Sequence, residues 1–106
     1  IIVSGGNNIY PREIEEVLYA HPKILEATVI NIADPVLGET VKAIVVLKAG
    51  EKMDEGEVID FCRERLASYK KPRSVDFVRS LPKNPFGKIL KSELRRKFGS
   101  LPPQKK

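Results

Sequence analysis

Lys88 ends the stretch Leu81-Pro82-Lys83-Asn84-Pro85-Phe86-Gly87-Lys88, in which two prolines fix φ and a glycine admits backbone angles that other residues resist. Such a segment can be stiff without being helix or strand, and a stiff loop can aim a side chain. The compact ammonium of Lys88, on its long stem, suits stabilisation of phosphate or carboxylate oxygens, so Lys88 is read as a catalytic lysine. On composition alone the plainer reading is an ordinary turn followed by a solvated lysine. A Walker-type phosphate loop is set aside, because Pro82 stands where its first glycine belongs and Ile89 follows Lys88 in place of Ser or Thr. A second stretch, Ser4-Gly5-Gly6-Asn7-Asn8, has the chemistry of a tight turn at positive φ. His21, beside Pro22, reads as a helix C-terminal cap rather than a base. Asp34 and Glu39 could be imagined as paired carboxylates, but no third catalytic type lies near them, and they read as turn-forming and exposed. No metal ligand set is expected.

These residues sit in a chain of 106 with 42% hydrophobic and 31% charged residues. That is enough for one core and too little for two, so multi-step chemistry would need a partner. No apolar run approaches the ~20 residues that a membrane span requires, and no signal-peptide pattern is present. The single cysteine, Cys62, can form no internal disulfide and falls on the apolar face of an expected helix, which makes it a buried, inert thiol. A reducing cytoplasm is the expected compartment. The chain opens Ile1-Ile2-Val3 without an initiator methionine and is read as a fragment of a longer polypeptide. The net charge of +5 is uneven: Pro82 to Lys106 holds eight Lys/Arg against one acid, a balance of +7, while residues 1–81 carry −2. The basic quarter would draw anions such as nucleotide phosphates, an acidic protein face or nucleic acid.

The elements that must carry these residues follow from periodicity. Ile1 to Val3 and Ile9-Tyr10 flank the Gly/Asn turn as a small hairpin. Pro11 suits a first helical position, and Ile14, Val17 and Leu18 give residues 11–20 one apolar face. Residues 24–33 are β-rich, and Val41 to Leu47 is so continuously apolar that it should be a central strand buried on both sides. Asp54 and Glu57 have capping-box spacing ahead of Val58, Ile59, Cys62 and Leu66, which predicts a helix over about 55–67. Val75, Phe77 and Val78 make a third core strand. After the Lys88 loop, residues 91–98 form a short helix with Leu94 and Phe98 inward, and 100–106 is a flexible tail. The order ββαββαβα predicts a small α+β domain, an N-terminal hairpin plus a mostly antiparallel three-stranded sheet covered by helices.

Ser4-Gly5-Gly6-Asn7-Asn8-Ile9-Tyr10-Pro11-Arg12-Glu13-Ile14-Glu15, then His21-Pro22, Asp34-Pro35, Gly38-Glu39, Tyr69-Lys70-Lys71-Pro72 and Leu81 through Lys88 resemble, in order and spacing, the C-terminal domain of the adenylate-forming acyl-CoA synthetases. The resemblance covers residues 1–99. It implies a mobile domain that closes over a larger N-terminal domain of the same chain. Such enzymes use ATP, Mg2+ and coenzyme A to turn a carboxylic acid into an acyl-adenylate and then a thioester. Lys88 takes the place of the adenylation lysine, and Gly5 and Gly6 that of the loop presented to coenzyme A during thioester formation. Asn7 and Asn8 are implied contacts of coenzyme A or nucleotide. The chain departs from the pattern at Asn8 and Leu37, where some relatives carry arginine.

The resemblance further implies that the hinge and the nucleotide pocket lie upstream, that the isolated domain is inactive, and that Lys88 is open to acetylation, which would remove its charge. The wording around Lys88 leans towards fatty or other aliphatic acids. The competing classes are a small basic nucleic-acid-binding module and a regulatory interaction domain. The first lacks aromatics interleaved with its basic stretch, where only Phe86 and Phe98 occur, so nucleic acid is not an expected partner. The second would be favoured by a Lys88 buried in a salt bridge rather than exposed.

Overall fold

A computed structural model describes residues 1–99; the tail expected over 100–106 lies outside the described residues. The elements are β1 (Ile2–Ser4), β2 (Asn7–Ile9), α1 (Pro11–Tyr19), β3 (Ile24–Asp34), β4 (Gly38–Leu47), α2 (Glu55–Arg63), a single 3-10 turn (Ser68–Lys70), β5 (Ser74–Phe77) and α3 (Lys91–Phe98). This is the expected α+β order.

β4 is the spine. β3 pairs with it antiparallel from Ile24↔Leu47 to Asp34↔Gly38, and β5 runs parallel to it over Lys42–Val45. The β1–β2 hairpin joins the same sheet through the single pair Ser4↔Gly38. Side chains alternate across a strand, so β4 serves two cores. Val41, Ala43 and Val45 face a cluster closed by Ile14 and Leu18 of α1 and by Val58 and Cys62 of α2. Ile44 and Val46 face a second cluster with Ile30, Ile32, Leu81 and Leu94 of α3. Every residue from Thr40 to Val46 is buried, the outcome expected of that apolar run.

Local chemistry explains the boundaries. Pro11 opens α1. Asp54 caps α2 by accepting from the Glu57 amide at 2.8 Å, while Glu57 accepts from the Asp54 amide at 3.2 Å. That helix ends at Arg63 rather than near 67, where the Arg65 amide bonds the Cys62 carbonyl three residues back and tightens the last turn. Phe77 corrects the expectation of a core residue. It is 38% exposed, since β5 is a four-residue strand whose last position has a neighbouring strand on one side only. Val75 alone of that trio is fully in the core, with Val78 half-buried.

Three glutamates finish the sheet's open positions. Glu15 of α1 accepts from the Val29 amide at 2.9 Å, Glu55 of α2 from the Val75 amide at 2.8 Å, and Glu39 of β4 from the Val3 amide at 3.1 Å. Each satisfies a strand N–H that no neighbouring strand reaches.

Candidate functional site

The Lys88 loop is a small closed structure. Lys83 and Ile89 bridge its neck, and the Leu90 amide donates to the Pro82 carbonyl at 2.8 Å. Within it the amide of Gly87 donates to the Asn84 carbonyl and that of Asn84 to the Lys88 carbonyl, at 2.9 and 2.8 Å. Gly87 has φ +84°, which the tight return demands. The Asn84 side chain holds the arc: its Oδ1 accepts from the Phe86 amide at 2.9 Å and from the Lys88 amide at 3.0 Å. The backbone of Lys88 is therefore fixed by hydrogen bonds on both its N–H and its C=O.

Its side chain is exposed, and among the described residues its ammonium has no ion-pair partner. The buried salt bridge that would have favoured a purely regulatory domain is not seen among the described residues. Lys88 lies on the rim of an open groove of about 700 Å³ that also touches Glu15, Tyr19, Thr28, Asn84 and Lys91. Two ion pairs brace the loop from either side. Lys83 bonds Glu26 of β3 at 2.5 Å, and Lys91 bonds Glu15 of α1 at 2.9 Å.

Gly5 and Gly6 form the two-residue turn between β1 and β2, with φ +55° and +84°, the positive pair that such hairpins favour. Asn7 and Asn8, both exposed, begin the return strand. The Gly5 amide donates to the Leu37 carbonyl at 2.9 Å, and a Cβ on Gly5 would stand 3.0 Å from Leu37 Cδ2. Beside the turn, a groove of about 450 Å³ is lined by Asn7, Tyr69, Lys71 and Arg73 among others. Its two cations and half-exposed ring suit an anionic ligand with an aromatic portion. Sequence reasoning did not single out Lys71 and Arg73, although two cations spaced around buried Pro72 were a readable signal.

The structure does not bring Lys88 and the glycine turn together. Glu26, which braces the first loop, and Asp34, which holds the β3–β4 turn whose Leu37 carbonyl receives the Gly5 amide, are eight positions apart on β3, roughly 26 Å at ~3.3 Å per residue.

The remaining candidates resolve as structure. Asp34 Oδ1 accepts from the amides of Leu37 and Val36, which hold its carboxyl below the usual range. Glu39 is not simply exposed, as its sequence context suggested. It is half-buried and joins hairpin to sheet through the Val3 amide and the Asn31 side chain, and these two bonds lower its pKa. His21 does not cap α1 with its ring. Its backbone amide closes the helix onto Leu18, while Nδ1 accepts from the Lys23 amide at 3.0 Å and the ring packs edge-on against Phe61. Burial, then the nearby Lys23 and Arg65 charges, lower its pKa. The Cys62 thiol is buried and pushed up to about 11, which suits the inert role expected of it. Among the described residues no group of three or more His, Cys, Asp and Glu could hold a metal ion, and no helix is long and apolar enough to cross a membrane. Phe86 is exposed and Phe98 half-buried.

Known proteins share this sequence and this geometry. The profile of AMP-binding enzyme C-terminal domains matches residues 13–88, a match that ends on Lys88. A long-chain-fatty-acid–CoA ligase from Bacillus subtilis is 53% identical over 94 residues, 89% of this chain and 17% of the ligase. A feruloyl-CoA synthase from Amycolatopsis is 48% identical over 99 residues, 93% of this chain and 20% of the synthase. Among solved structures, a fatty acyl CoA synthetase of Mycobacterium tuberculosis superposes with a TM-score of 0.86 at 44% identity over 92% of this chain and 19% of that one. ATP-bound MatB from Rhodopseudomonas palustris gives 0.90 at 37% identity, over 93% of this chain and 20% of that one. The chain thus spans about one fifth of the length of the relatives it matches.

Proposed function

The chain belongs to the family of AMP-binding enzyme C-terminal domains, and on that premise we propose that it is the mobile C-terminal domain of an ATP-dependent, AMP-forming acyl-CoA synthetase. The observation that carries the reading is the Lys88 ammonium, exposed and unpaired among the described residues on a loop whose backbone is fixed. In the first half-reaction a carboxylate oxygen attacks the α-phosphorus of ATP. The new O–P bond forms as the bond to pyrophosphate breaks. Two anions must approach, and charge builds on the phosphoryl oxygens. A lysine placed between them offsets both, a contribution of ~10²–10³ in rate.

In the second half-reaction the thiol of coenzyme A loses its proton, sulfur attacks the acyl carbonyl, and AMP departs with the electron pair of the broken C–O bond. Gly5 and Gly6 present backbone where a side chain would obstruct the thin pantetheine arm. Asn7 and Asn8 offer amide groups to coenzyme A or nucleotide, while Lys71 and Arg73 oppose its phosphates. Because the two loops lie at opposite ends of β3, each serves the same reaction centre only after the domain turns, a motion able to limit turnover. The described residues offer no carboxylate cluster for magnesium. By the family resemblance, the ion, ATP and the acid are assigned mainly to the N-terminal domain, and the domain alone is expected to be inactive. The relatives include both a long-chain-fatty-acid–CoA ligase and a feruloyl-CoA synthase, so the class of acid is left to the N-terminal domain.

The test is Lys88→Ala in the full-length protein. Adenylate formation, followed by pyrophosphate release, should fall by about 10²–10³, while supplied acyl-adenylate should still react with coenzyme A at the parent rate. Equal loss of both steps would refute the division of labour.

A further inference from the structure

We propose that Glu15 and Lys91 are a positioning pair for Lys88, acting in adenylate formation and not in thioester formation; the proposal rests on the role assigned to Lys88 above. Lys91 occupies the first position of α3, where the helix dipole presents positive charge and a cation is disfavoured. Leu90, its N-cap, supplies no side-chain cap. Lys91 does not point into solvent to escape that field. Its ammonium turns onto Glu15 at 2.9 Å, with only 31% of the side chain exposed.

Glu15 is itself immobilised. The same Oε2 that meets Lys91 accepts from the Thr28 hydroxyl at 2.8 Å and the Val29 amide at 2.9 Å. The carboxylate is therefore bolted to β3 and presents a fixed negative point to the residue three places beyond Lys88. On the other side of the loop, the Lys83–Glu26 pair fixes the neck to the same strand. The Lys88 hook is thus referenced to β3 from both ends, and Glu15 shares with Lys88 the groove into which a ligand would come. A displacement near 1 Å at a reacting group can cost on the order of 10² in rate, so slackening one brace has a kinetic effect even where the fold survives.

Glu15→Gln keeps an acceptor for Thr28 and Val29 and removes the charge that holds Lys91. Lys91→Met keeps the stem and removes the ammonium, and Lys91→Arg restores a cation. In the full-length protein, the first two should each lower kcat for adenylate formation by about tenfold, with KM for ATP little changed. Thioester formation from supplied acyl-adenylate should hold at the parent rate, and Lys91→Arg should recover most of the loss. A merely structural pair would lower both half-reactions together with the melting temperature, and that result, or no loss in either step, overturns the proposal. Lys88→Ala is measured alongside. If it abolishes adenylate formation and the Glu15 and Lys91 variants do not reduce it, the positioning role alone falls. If Lys88→Ala leaves adenylate formation intact, the reading of Lys88 falls and this proposal with it.

Discussion

The two loops at the ends of β3 solve opposite problems. The Lys88 loop exists to project a side chain, and its stiffness comes from Asn84 gripping two backbone amides and from ion pairs on both flanks. The Gly5–Gly6 turn exists to project nothing. It is tied down by one amide bond to Leu37 and by Glu39, and its exposed face is bare backbone. One loop needs a charge at a fixed point, the other needs room. On the proposed reading, a single domain can hold both because they share one sheet and act in different half-reactions.

Variants of each loop break this comparison to different extents. After the loss of Lys88 itself, the largest effect is expected at Gly6. A Cβ there meets no atom within 4 Å, but φ is +84°, so Gly6→Val strains the backbone by about 1–2 kcal/mol and places a branched side chain where the pantetheine arm is proposed to pass. Thioester formation should fall on the order of 10²-fold while pyrophosphate release is unchanged. A fall in pyrophosphate release instead would assign the turn to the wrong step.

Asn84→Ala is the counterpart on the other loop. It frees the amides of Phe86 and Lys88 from their shared acceptor, at about 1–2 kcal/mol of stability because both groups can turn to water, and should reduce adenylate formation about tenfold. Rates for the two half-reactions, measured on one preparation, check the selectivity.

The smallest effect concerns acid. The bonds from the Val3 amide and then the Asn31 side chain hold the Glu39 pKa below its unfolded value. Its contribution to stability is therefore complete above the unfolded pKa and is lost as pH falls through the folded one. Between about pH 6 and pH 3, Glu39→Gln should show a shallower decline in melting temperature than the parent protein. Identical slopes would remove Glu39 as the acid-sensitive tie of the hairpin.

Most of the architecture was legible because periodicity is a local property. The unbroken apolar run of β4 announced a strand covered on both faces, and Asp54 and Glu57 announced the start of α2. The positive-φ turn at Gly5-Gly6 and the closed loop before Lys88 were legible through their neighbours, while the roles given to them rest on resemblance. What escaped was set by contacts between residues distant in sequence. Nothing near Glu39 says that it will reach the Val3 amide, and nothing near Glu15 says that Thr28, Val29 and Lys91 will converge on one oxygen. Phe77 was misjudged because alternation identifies a face but not that the strand ends there at the edge of the sheet. Asn84 could have been found, since an asparagine before Pro-x-Gly carries the signature of a side chain bonding the backbone two residues on.

The glutamates that take up one spare amide each on β1, β3 and β5 have a consequence for a domain proposed to travel. A domain that detaches from one dock before reaching another spends time with its flanks bare, and a bare strand is an invitation to zip onto a second copy. Carboxylates seated on those amides occupy the hydrogen-bonding positions a stranger would need and repel its carbonyls. If the domain travels as proposed, those three positions are already taken whenever its flanks are bare.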